Sequence, residues 1–156
     1  MLNLAHEADH ALLAYIEAGR VAQDLLRQVL TQLAGYSLML MTASRRSSLP
    51  EQSIRAASAA AARAFGDIRA LAVPSAARHH HHHLCKAAEA ARHAFASAER
   101  CGRPDAGEAE RDALTRALQA ATAHLRVTAR LLPGFEIVDF GQACCAQHAP
   151  APAGGS

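Results

Sequence analysis

The stretch LLAYIEAGRVAQDLLRQVLTQL, residues 12–33, decides the fold. Leu12, Ile16, Gly19, Leu26, Leu30 and Leu33 recur at helical spacing, interrupted at Gln23. That period puts one buried stripe on an α-helix. Tyr15, Ala22 and Val29 widen the stripe, and Glu17, Arg20, Asp24, Arg27 and Gln28 fall on the opposite side. Asn3 is the expected N-cap. No breaker interrupts Leu38 to Met41, so the helix is expected to pass Gly35 and end toward Ser44, with Arg45 to Leu49 as the first turn.

The same pattern recurs three more times. Pro50 suits the first turn of a second helix, with Ile54, Ala57, Ala61, Phe65, Ile68 and Ala72 as its stripe and Pro74 as its stop. Ser75 can cap a third helix running to about Arg100, its stripe passing through Ala87, Ala91, Phe95 and Ala98. Cys101 to Pro104 reads as a turn, and Asp105 as the cap of a fourth helix. There Leu114, Ala117, Leu118, Ala121, Leu125, Thr128 and Leu132 share a face, and Pro133-Gly134 ends it. Short connections between long helices predict an all-α antiparallel four-helix bundle, up-down-up-down, over residues 1–134. Residues 135–148, opening with Phe135-Glu136-Ile137-Val138-Asp139-Phe140, are expected to lie extended on or near the bundle. Residues 149–156, rich in Pro, Gly and Ala, read as a disordered tail.

Composition bears on how such a bundle holds together. A chain of 156 residues that is 51% hydrophobic can bury a core of its own. About a quarter of it is alanine. Alanine favours helix and lets helices approach closely, yet buries little area per residue. The net charge of +2 and the scattered arginines argue against nucleic acid, as does the lack of aromatics to stack on bases. No apolar run is long enough to span a membrane, and His6, Glu7 and Asp9 stand where a secretory leader would be apolar. A cytoplasmic protein with reduced thiols is the expectation.

Ten histidines are the unusual feature, five of them consecutive from His79 to His83. Such a run covers more than one helical turn, so some members face inward. Counting back by fours from Ala91 and Ala87 reaches His83 and His79, which places this pair on the third helix's stripe and His80 to His82 at its flanks. Two imidazoles four residues apart can ligate one metal ion. Up-down-up-down topology would bring His6 and His10 from the first helix, His124 from the fourth, and the tail's Cys144, Cys145 and His148 to the same pole. A donor set so rich in nitrogen suits Zn, Ni, Cu or Co over Mg or Ca. Inward imidazoles resist protonation, so stability is expected to fall as pH drops through about 6.5.

The chain has no Gly-rich phosphate loop and no G-x-S-x-G elbow. The Glu-x-x-His motif that di-iron bundles carry on two helices occurs once, at Glu7–His10. Two readings therefore compete. One is a metal-binding bundle using His79, His83, His124, His6, His10 and the Cys144, Cys145, His148 tail. The other is a non-catalytic interaction or structural bundle, as a homo-oligomer or with a protein partner, whose histidines are simply surface.

Overall fold

The computed structural model describes residues 2–42, 51–103 and 105–136, and all of its regular structure is helical. Helix α1 spans Leu2–Thr42, α2 Glu51–Ala70, α3 Arg78–Cys101 and α4 Glu108–Leu131. A 3-10 turn, Ser75–Ala77, leads into α3. No described helix is long and apolar enough to cross a membrane.

Helix α1 carries the anticipated stripe. Tyr15, Ala22, Leu26, Val29, Leu30 and Leu33 are buried, and burial continues through Tyr36 to Leu40. The helix passes Gly35 without a break, and it begins at Leu2, so Asn3 lies inside it and is not the cap. Gln23 is no interruption. Its side chain is buried and its Nε2 donates to the carbonyl oxygen of Phe135 at 3.3 Å. The Thr128 hydroxyl of α4 donates to Gln23 Oε1 at 2.8 Å. An amide inside an apolar stripe is tolerated because both of its ends find partners.

Three local expectations are corrected. In α2 the inward position belongs to Ala64, while Phe65 is half-buried under the guanidiniums of Arg69 and Arg92, 5.5 and 4.8 Å from its ring centre. Ala72 is exposed beyond the end of α2. Asp105 does not cap α4; Gly107 does, in extended backbone, its N–H donating to Glu110 Oε2 at 2.9 Å. Glu108 and Glu110 in that first turn also suit the positive end of the helix dipole.

Helix α3 is the centre of the assembly. Its inner face is Leu84, Ala87, Ala88, Ala91, Ala94, Phe95 and Ala98, and its most extensive packing is against α4. Past α4, Gly134 takes a φ of +88°, the left-handed region that favours glycine, and turns the chain back. Phe135 is thereby inserted into the core at 2% exposure. Room for its ring comes from Gly19, where an added Cβ would lie 3.1 Å from Phe135 Cζ.

Two glycines of α1 should therefore respond oppositely to substitution. Gly19→Leu collides with Phe135 and is expected to cost about 1–3 kcal/mol. Gly35 has nothing within 4 Å of an added Cβ. Gly35→Ala should stabilise by about 0.5–1 kcal/mol through helix propensity alone. Thermal denaturation of the two variants checks both signs.

Candidate histidine site

The histidine tract forms the first turns of α3, and the helical screw decides what each member does. His80 is buried at 1% exposure, His81 and His83 are half-buried, and His79 and His82 are exposed. The inward histidine is thus His80 rather than the expected pair. Each step of four residues overshoots a full turn by about 40°, so three such steps from Ala91 to His79 drift about 120° off the stripe. The buried line runs Cys101, Ala98, Ala94, Ala91, Ala87, Leu84, His80 and Ala77, alternating threes and fours. Stepping back by that alternation would have found His80 from sequence alone.

His80 meets Tyr15 of α1. The phenol oxygen lies 2.8 Å from His80 Nδ1, with the rings edge to face at 5.6 Å between centres. Which atom donates follows from the tautomer of His80. Its other nitrogen, Nε2, is buried with no hydrogen-bond partner, and the imidazole stacks at 4.1 Å on the ring of Phe135. A charged imidazolium there would bury a second N–H without a hydrogen-bond partner, away from water. Burial, and after it the proximity of His81 and His83, pushes the pKa of His80 down to about 4. Burial, with Cys85 nearby, also holds the Tyr15 phenol well above its ordinary range. The pair is neutral across the physiological range.

A second group links α3 to α4. His83 Nδ1 lies 2.9 Å from His124 Nδ1, and His83 Nε2 lies 3.2 Å from His79 Nε2. His83 thus stands between two histidines, one at each of its ring nitrogens. Those nitrogens point in opposite directions, so His79, His83 and His124 form a chain of contacts and do not converge on one point. Accordingly, no group of three or more His, Cys, Asp or Glu side chains is arranged to hold a metal ion among the described residues. Burial, then the neighbouring His124, His79 and His82, keeps the pKa of His83 below the usual histidine value.

The remaining candidates sit apart. His6 and His10 form their own exposed pair on α1, Nε2 to Nε2 at 3.1 Å. His81 Nε2 is 3.4 Å from the Cys85 sulfur, and His81 Nδ1 is buried without a partner. Burial and then Glu89 push the Cys85 thiol up, against the smaller pull of Arg69 and Lys86, so it is no activated thiolate. Cys144, Cys145 and His148 lie outside the described residues. The chain matches no protein-family model, no curated protein and no solved structure.

The buried pair fixes a pH dependence. Unfolded, His80 titrates near 6.5; folded, near 4. Between these values the unfolded chain holds the extra proton, so the stabilisation is complete above about 6.5 and is lost as pH falls toward 4. Unfolding free energy should drop by about 2 kcal/mol between pH 7.5 and 4.5, before smaller contributions from other groups. Tyr15→Phe/His80→Leu replaces both partners with apolar groups and should flatten much of that slope. Parallel slopes in the two proteins, measured by urea unfolding, would exclude His80 as the source.

Proposed function

We propose that the protein is a small cytoplasmic helical bundle, its helices alternating in direction, that takes up a transition-metal ion on the histidines joining α3 to α4. Alternation of the first three helices is supported by residue pairs along their contacts. On α1 and α2, Gly19 is near Leu71 while Tyr36 shares a pocket with Ile54 and Ala57. On α2 and α3, Phe65 lies beside Arg92 while Arg69 acts on Cys85. In both pairs one numbering rises as the other falls. On α1 and α3, Tyr15 with His80 and Tyr36 near Gly102 rise together.

The observation that carries the metal reading is the 2.9 Å separation of His83 Nδ1 and His124 Nδ1. Two nitrogens bound to one ion at about 2.0–2.1 Å stand about 2.9–3.4 Å apart, depending on the bond angle. Without an ion, one of these nitrogens must carry a proton for the contact to be favourable. With one, both lone pairs are used. His83 Nε2–H then donates to His79 Nε2, the kind of outer acceptor that fixes the tautomer of a ligating histidine. His79 is therefore a positioning residue in this reading and His83 and His124 are the ligands, with water completing the shell. Imidazole donors favour Zn, Ni, Cu or Co. His6 and His10 make a separate, exposed pair, and Cys144, Cys145 and His148 supply further donors of suitable chemistry.

A second reading, a non-catalytic interaction bundle or homodimer, draws on α1. Leu13, Val21 and Leu38 there are 57%, 73% and 64% exposed. These exposed apolar side chains on a long helix are surface that a partner could cover.

Calorimetric titration of zinc into untagged protein, purified without a nickel column, separates the two. The metal reading expects one ion bound tightly, an affinity loss of at least about tenfold in His83→Ala and in His124→Ala, and retained stoichiometry with weaker binding in His79→Ala. Binding unchanged in a His83→Ala/His124→Ala protein overturns the assignment. So does binding that vanishes only in Cys144→Ser/Cys145→Ser. No uptake, together with sedimentation as a dimer, would favour the interaction reading.

A further inference from the structure

Helix α4 leans on α3 and meets α1 much less, which leaves a groove of about 900 Å³ between α1 and α4. Its apolar surface comes from Leu30 and Ala34 on one side and Leu118, Leu125 and Ala129 on the other. Two hydroxyls in the wall, Thr31 and Thr122, are turned to their own helices and donate to the carbonyls of Arg27 and Leu118. Arg27, Arg126 and Arg130 line the groove with Glu136, and Arg27 also pairs with Asp24 at 3.6 Å, which leaves an excess of positive charge along it.

We propose that this groove is the docking site of the chain's own residues 137–140. Four observations converge on that occupant. Gly134 reverses the chain at the end of α4, and Gln23 and the Phe135 pocket clamp it beside α1. Glu136, the last described residue, itself lines the groove, so the residues that follow begin at its wall. They read Ile137-Val138-Asp139-Phe140: three apolar side chains for an apolar surface and one carboxylate for an arginine rim. Length agrees too. Four extended residues reach about 13 Å, most of the roughly 18 Å that α4 rises from Leu118 to Arg130. A peptide from another protein would need the same chemistry without the tether that raises its effective concentration.

The inference is independent of metal uptake and is tested on the full chain. A photo-crosslinking amino acid in place of Phe140 should give monomer-mass products joined to residues 27–34 or 118–130. Groove variants Ala34→Glu and Ala129→Glu, both at positions that are not fully buried, should suppress these products while helical circular dichroism is retained. Separately, Phe140→Asp should lower the melting temperature by about 4–8 °C, as expected for losing one buried aromatic in a chain of this size. Crosslinks to other surfaces, products of dimer mass, or a melting temperature unmoved by Phe140→Asp each overturn the proposal.

Discussion

The contact between α3 and α4 is the most extensive in this structure, and α3 meets its neighbours with a face built largely of alanine. Ala87, Ala88, Ala91, Ala94 and Ala98 lie on that buried face. Each contributes only about one methyl of buried surface, near 0.8 kcal/mol, so stability has to accumulate along the length of the contact. The same helix pair brings His124 to within hydrogen-bonding distance of His83.

In the buried Tyr15–His80 pair, chemistry constrains packing. A phenol and an imidazole in an alanine-rich core are tolerable because each satisfies the other. That leaves His80 Nε2 buried without a partner, in a ring that lies against Phe135. The core accepts the neutral His80 imidazole and resists its cation. Five identical side chains thus acquire different properties from the helical screw alone. One is structural and neutral, one links two helices, and the exposed His79 and His82 face water.

Much of the fold was legible because amphipathic periodicity survives in all four helices, and Leu26, Leu33, Ile68, Leu84, Leu114 and Leu125 are where that period puts them or would extend it. The site was harder to read for two physical reasons. Counting by fours treats a 3.6-residue turn as a four-residue one, and the error grows along α3 until it selects His79 and His83 over His80. Gln23 was misjudged because a polar residue in a stripe reads as a gap. Its partners, Thr128 and the Phe135 carbonyl, lie more than a hundred residues away, beyond any local pattern. Glycine carried information as well. Gly19 looks like a weak point in a helix, and its meaning depends on an aromatic ring delivered from the far end of the described chain.

Gln23 also explains how the residues just after α4 are placed with so little regular structure. Its amide oxygen accepts from α4 and its amide nitrogen donates to the backbone immediately after α4, so a single α1 side chain fixes two elements. Phe135 adds the apolar half of the anchor, against Gly19 on one side and His80 on the other. Loss of either half would strand the other: an unpartnered buried amide is costly, and an aromatic ring without its backbone tether is poorly located. Because the Phe135 ring lies against the His80 imidazole, this anchor also contributes to the burial that lowers the pKa of that imidazole. Protonation of His80 and release of Phe135 are therefore linked events. Whatever draws Phe135 out of its pocket must raise the proton affinity of His80, and acid that charges His80 must weaken the hold on Phe135.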